Sequence, residues 1–328
     1  MHTLNSLPVG QDGFSLLSGS SAPPTAIIFV HGWGGSAQGT WADFPRLLDT
    51  EFSTDDWWSG SDLFFYQYPE SRTAPLAVSA AKFGRFLGMV FPRPDQRLFD
   101  VDPEFGEFYD LIARAAALRS KDFRYQNIVL VGHSEGAVII RRSLIEAYKD
   151  VRESGGIPSG GSGLDTLVGT KSEQLGKIED EFFAKYPTMG AKLVLFAPAH
   201  HGANVAGWAG ALLSLLSASR YLGRVIDAIR GHSSADYDLT PNSPFLAQLR
   251  EDTERFASSF PSPPSLIARS YFGEADRIVC IGEYRTDHSS ILVPGKNHTS
   301  ICKPNLSYPA PFKYVSYDRT IRRSASGS

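Results

Sequence analysis

Short runs of apolar residues alternate along the chain with longer stretches whose apolar positions recur every three to four residues. The short runs are Thr25–Val30 (TAIIFV), 63–68 (LFFYQY), 127–131 (NIVLV), Lys192–Phe196 (KLVLF), 265–271 (SLIARSY) and 290–293 (SILV). Several are apolar throughout and do not alternate with polar residues. That pattern marks strands covered on both faces of a parallel sheet. The longer stretches read as helices. Residues 104–119 place Phe108, Leu111, Ile112, Ala115 and Leu118 on one helical face. Residues 135–149 form a second helix. Residues 243–257 form a third, opening on Ser-Pro, a good N-cap and first-turn pair. The alternation predicts an α/β fold: a mostly parallel central sheet flanked by helices.

Two stretches interrupt this rhythm. Residues 151–176 are rich in Gly and Ser and read as a loop or excursion. Residues 204–240 are apolar and helical, then turn polar at GHSSADYD. Both lie between strand candidates, so they are insertions into one domain spanning 1–328. Segments 151–190 and 204–260 are expected to build a helical cap, and 322–328 a disordered tail. From Leu193 to Ser219 there is no Lys, Arg, Asp or Glu, but Pro198, His200, His201 and Asn204 break the run. What remains is shorter than the roughly 20 residues a membrane-spanning helix needs. An apolar helix over a binding cleft fits better, with transient contact to a membrane surface as a further expectation.

Composition adds boundaries. The chain has 328 residues, 42% hydrophobic and 20% charged, enough for one large core. A net charge of −3 gives no basic footprint for nucleic acid. Two cysteines, Cys280 and Cys302, are too few for a disulfide framework. A bridge between them is the expectation only for a secreted form. The first residues carry no basic segment followed by an apolar one, so the expectation is a cytoplasmic protein without a signal peptide.

The candidate chemistry sits at Gly132-His133-Ser134-Glu135-Gly136, between the strand candidate NIVLV and a helical run. Gly-x-Ser-x-Gly in that context is a nucleophile elbow, a tight turn that lifts the serine hydroxyl clear of both elements. A serine hydroxyl needs a base, and the base needs an orienting carboxylate. In elbow-type folds both come later in the chain, acid first. His298 lies just past the last strand candidate, where the site of an open α/β sheet is found. Asp276 lies past the strand before it. Glu274 and Asp287 are rival acids. His288 is a rival base, but it precedes the last strand and belongs at the sheet's other end. The oxyanion of an acyl-transfer intermediate needs backbone N–H donors. Glu135, next after the serine, offers one. Trp33, in the early loop His31-Gly32-Trp33-Gly34-Gly35, offers the other. His31 precedes the serine and is read as holding that loop. No metal and no organic cofactor is expected.

HGWGGSAQGTW, GHSEGA, FAPAHHGAN, LTPNSPFLAQL, GEADRIV and NHTSICKP occur in this order. Together they resemble the serine esterase and lipase branch of the α/β-hydrolase superfamily, and within it the GPI-inositol-deacylase-like and serine-active-site-containing lipase-like proteins. The resemblance spans roughly residues 25 to 306. It implies an α/β-hydrolase fold and hydrolysis of a carboxylic ester, a lipid or other acyl ester, through a Ser-His-Asp triad and an acyl-enzyme. This chain departs from that branch in two places. Where relatives carry Pro-His-x-Gly-Ser, it has Pro198-Ala199-His200-His201-Gly202-Ala203, one residue longer and without the serine. Position 135, often apolar, is a glutamate. Its carboxylate would oppose an oxyanion unless it points away or is paired. The segment 208–216 and the aromatic residues Trp57, Trp58, Phe64 and Phe65 are either an acyl pocket or core. The competing functional reading is a hydrolase-fold module that binds a ligand or partner and is non-catalytic or activated by that partner.

Overall fold

The computed structural model describes residues 2–5, 13–18, 22–41, 43–48, 60–68, 74–95, 98, 120, 122–154, 172–204, 237–259 and 261–316. Eight strands form one sheet: β1 (His2–Asn5), β2 (Gly13–Ser18), β3 (Thr25–Val30), β4 (Ser61–Gln67), β5 (Asn127–His133), β6 (Lys192–Phe196), β7 (Ala268–Gly273) and β8 (Ile291–Val293). Their spatial order is β1-β2-β4-β3-β5-β6-β7-β8. Strands β3 to β8 run parallel, and β1 and β2 close one edge antiparallel. All six strands expected from the sequence are present. One starts late: Pro263 and Pro264 open a one-turn 3-10 helix, Pro264–Leu266, so β7 begins at Ala268 and not at 265. Strands β1 and β2 have no counterpart in the sequence reading.

The apolar runs are buried on both faces. Every residue of β3 and β4 is buried. On one face Phe64 and Tyr66 meet α3 (Leu76–Val90), with Tyr66 5.4 Å from Phe83 and Phe64 6.3 Å from Phe86, ring to ring. On the other, Phe29 stacks on its register partner Phe65 at 4.8 Å. It also touches Trp41 of α1 (Ala37–Trp41) at 5.1 Å and Phe44 of α2 (Asp43–Leu48) at 4.9 Å. Phe64 and Phe65 are therefore core, on opposite faces of β4, and not an acyl pocket.

The helix after the serine, α4 (Glu135–Glu153), lies beside α3 on the first face. Helix α6 (Pro244–Ala257) packs on α4, with Tyr148 against Phe256 at 4.9 Å. Asp252 of α6 pairs with Lys149 of α4 at 3.0 Å. Ser243 caps α6 by accepting the Leu246 N–H at 3.2 Å. Helix α6 is thus part of the flanking layer and not of a cap, because its apolar positions Leu246, Leu249 and Phe256 are buried in that layer. Helix α5 (Ser172–Lys185) and the turn Pro187–Gly190 lead directly into the first residue of β6. They lie at the N-terminal end of the strands, opposite the serine. The expected helix 104–119, Trp57, Trp58, segments 155–171 and 205–236, and the tail 322–328 fall outside the described residues. Among the described residues no helix is long and apolar enough to cross a membrane. Cys280 is exposed, Cys302 is buried, and both are free thiols, not bridged. A mostly parallel sheet in this order, with helices on both faces and an elbow after the central β5, is the α/β-hydrolase fold.

Candidate active site

Ser134 occupies the turn between β5 and α4 with φ 54° and ψ −120°. A non-glycine residue held at positive φ stores on the order of 1–3 kcal/mol of strain, which persists only where the surroundings fix it. Here they do. The Ser134 N–H donates to the Phe196 carbonyl at 3.0 Å, and its own carbonyl accepts the Ala199 N–H at 3.2 Å. The flanking glycines are sterically required. A Cβ on Gly136 would stand 2.4 Å from the carbonyl oxygens of Val30 and His31, and one on Gly132 would stand 2.7 Å from Ala137 Cα.

The loops after β7 and β8 meet beside this turn, where the Ala275 N–H donates to the Lys296 carbonyl at 2.9 Å. Ser134, His298 and Asp276 come together. The Ser134 hydroxyl lies 3.1 Å from His298 Nε2, and His298 Nδ1 lies 2.9 Å from Asp276 Oδ2. Asp276 Oδ1 accepts the N–H groups of Ile278 at 2.8 Å and Val279 at 3.3 Å. Burial alone would raise the Asp276 carboxyl. The bond and charge of His298, with the two amides, outweigh it and hold the carboxyl below its ordinary value. The Asn297 side chain accepts the N–H groups of Thr299 at 3.1 Å and Ser300 at 3.0 Å, which fixes the turn carrying His298.

The rival residues are elsewhere. Glu274 is exposed. Asp287 forms a buried ion pair with Arg141. His288 donates its N–H to Ala268, at the N-terminal end of β7.

His31 holds its loop as expected. Its Nδ1 donates to the Gly32 carbonyl at 2.9 Å, its ring stacks on Tyr68 at 4.4 Å, and the Tyr68 hydroxyl donates to its carbonyl at 2.7 Å. Burial pulls its pKa down to about 4, so it is neutral. The same loop brings Trp33 to the mouth of a pocket shared with Ser134 and His298. Glu135 opens α4, so its N–H belongs to the first-turn amides that face out of a helix end. Its side chain is fully buried, and its charge acts on Tyr68, whose hydroxyl burial already pushes well up. The unusual loop after β6 is also accounted for. His200 is buried, donates from Nε2 to the Gly282 carbonyl at 2.8 Å and stacks on Tyr284 at 4.5 Å.

Sequence reasoning missed His133. A carbonyl can only accept, so His133 Nε2 carries a proton and donates it to the His298 backbone oxygen at 2.8 Å. Burial, then the neighbouring His298 charge, takes its pKa down to about 3. The available signal was a polar residue inside an otherwise apolar strand. The pocket holds about 870 Å³, including space open to solvent. Among the described residues no group of His, Cys, Asp and Glu is arranged to hold a metal ion.

No family model matches the chain, and no curated protein matches it. Solved structures are similar at low identity. Phospholipase PlaB from Legionella pneumophila is 16% identical over 89% of this chain and 59% of that one, with a TM-score of 0.45. The chain therefore spans less than two thirds of that protein. The type II thioesterase YbtT of a yersiniabactin pathway is 12% identical over 95% and 99%, with a TM-score of 0.45. The siderophore hydrolase EstB from Aspergillus fumigatus is 14% identical over 98% and 98%, with a TM-score of 0.43. These likenesses carry nothing about substrate. The fold assignment stands on the strand order and the elbow.

Proposed function

We propose that this chain is a serine hydrolase of carboxylic esters. The observation that supports it best is the continuous hydrogen-bonded series from Ser134 through His298 to Asp276, starting on a strained elbow and opening into a pocket. Ser134 Oγ attacks the ester carbonyl while His298 Nε2 takes its proton. The C–O π bond opens to an oxyanion, which the N–H groups of Trp33 and Glu135 hold. As the carbonyl re-forms, the C–O bond to the alcohol breaks and His298 returns the proton to the leaving oxygen. Water repeats the sequence on the acyl-serine and frees the acid. Asp276 keeps Nδ1 protonated and steadies the imidazolium. His133 is a positioning residue that holds the backbone of His298.

The test is labelling with a fluorophosphonate probe, wild type beside Ser134→Ala, followed by a p-nitrophenyl ester chain-length series. Wild type should label and turn over, and Ser134→Ala should do neither, with a loss on the order of 10⁶ in kcat. Equal labelling of both proteins would remove Ser134 from the mechanism. The chain-length optimum measures the acyl side, for which a lipid or medium-chain acyl group is the proposed occupant.

A further inference from the structure

Among the described residues, β8 is the end of the sheet and pairs with β7 alone. Ile291 and Leu292 are neighbours in this strand, so their side chains stand on opposite faces. Ile291 is 45% exposed and Leu292 54%, so this end of the sheet is open on both faces. Exposed apolar surface gathers here. Of the seven exposed large hydrophobic residues among those described, Ile281, Ile291 and Leu292 lie in β8 or the loop before it. The direction of the ladder is also fixed. The Val293 carbonyl accepts the Glu274 N–H at 3.1 Å, so Val293 faces β7. Backbone groups alternate along a strand, so the N–H and C=O of Leu292 point out of the sheet. Proteins that stay single blunt such an edge with charged residues. The run 288–295, HSSILVPG, has no Lys, Arg, Asp or Glu.

An outward strand edge fits another extended strand. We propose that this strand is β8 of a second copy of the chain, paired antiparallel about a two-fold axis at Leu292. Each Leu292 N–H then donates to the Leu292 carbonyl of the other copy. Leu292 meets Leu292 on one face of the joined sheet, and Ile291 meets Val293 on the other. Moving the axis one residue back would set Leu292 against Ser290. Moving it one residue forward would set Leu292 against Pro294, which has no N–H to give. The charges agree with this pairing. At the N-terminal end of β8, Glu283 accepts the Ser290 hydroxyl at 2.6 Å. Past the C-terminal end, the Lys296 N–H donates to the Val293 carbonyl at 3.4 Å, which keeps Lys296 beside the strand. An antiparallel pair brings the acidic end of each copy to the basic end of the other. The contact is isologous, so every interaction in it is made twice. It goes beyond the esterase reading and does not rest on it.

Sedimentation velocity over about 1–100 μM protein tests the inference, and wild type should pass from monomer to dimer within that range. Leu292→Lys sets two like charges face to face. It should raise the dissociation constant by more than about ten-fold while far-UV circular dichroism stays unchanged. Glu283→Lys and Lys296→Glu should each weaken the dimer, and the two together should restore most of it. Leu292→Cys in a Cys280→Ser background tests the register. Residues that exchange both backbone bonds have Cα atoms about 5.5 Å apart, within disulfide reach. Mild oxidation should therefore give a covalent dimer, and Cys280→Ser alone should give none. A wild type that stays monomeric throughout overturns the inference and leaves the edge to a strand of another protein. A dimer that Leu292→Lys does not weaken, or that Leu292→Cys does not cross-link, overturns it by placing the contact elsewhere. None of these readouts uses an ester, so they stand whether or not the fluorophosphonate probe labels Ser134.

Discussion

A buried carboxylate from a loop sits at each end of strand β7. Past its C-terminal end, Asp276 accepts from His298 and from the amides of Ile278 and Val279. At its N-terminal end, Asp287 accepts from Arg141 and from the amides of Ala268 and Tyr284. Each has two backbone donors and one side-chain partner. The partner makes the difference. An imidazole gains and loses a proton near neutral pH, whereas a guanidinium never gives one up. The pair at the C-terminal end suits proton traffic. The pair at the other end, with both side chains fully buried, is a fixed fastening between α4 and the loop before β8. Two similar carboxylates at the two ends of one strand therefore have separable consequences.

The largest expected effect is on turnover. Asp276→Asn should lower kcat by on the order of 10⁴, because the amide favours the wrong imidazole tautomer, while the unfolding midpoint moves little. Ester turnover and urea unfolding on the same sample measure both. Asp287→Asn should do the reverse. It leaves Arg141 charged and uncompensated in a dry site, at a cost of about 3–5 kcal/mol of unfolding free energy, while the folded fraction keeps its kcat. If Asp287→Asn lowered kcat as far as Asp276→Asn at unchanged stability, the division between the two ends would be wrong.

A smaller effect comes from acid. His31 and His133 are held neutral, with pKa values near 4 and 3. The unfolded chain binds their protons from about pH 6.5 downward. Between those limits the unfolded state holds more protons, so stability is full above pH 6.5 and falls as pH drops. At about pH 5 each histidine should remove about 2 kcal/mol relative to neutral pH. Asp276 is shifted the other way. Its contribution is present above the ordinary Asp value and is lost only as pH falls through its lower native one, so it lies outside this window. Urea titrations at about pH 7.5 and about pH 5 measure the slope, and a flat profile would contradict neutral buried imidazoles.

Much of this organisation was legible in the residues, for local reasons. Runs such as TAIIFV and NIVLV are short, rich in β-branched residues and apolar on both sides, which suits a strand covered on both faces of a parallel sheet. Gly132 and Gly136 bracket Ser134 at the spacing a sharp turn demands. Other elements gave weak signals. In β2, GFSLLS neither alternates nor stays apolar, and its pairing with β4 is what makes it a strand. Helix α3 contains Gly84 and Gly88 and is held by packing its Phe83 and Phe86 on the sheet. Helix α6 was legible as a helix, from its Ser-Pro start, but not as part of the flanking layer.

By itself the sequence determined the alternation of elements and the elbow, because these depend on residues adjacent in the chain. It favoured Asp276 over Glu274 and Asp287 from its place past a strand end, without showing which of the three meets His298. That choice fell to the packing of the loop after β7 on the loop after β8, which buries Asp276 against His298, leaves Glu274 in water and sends Asp287 to Arg141. His133 bonding the His298 backbone was decided at the same level. Each joins segments far apart in sequence, and only the register and closure of the sheet bring such segments within hydrogen-bonding distance.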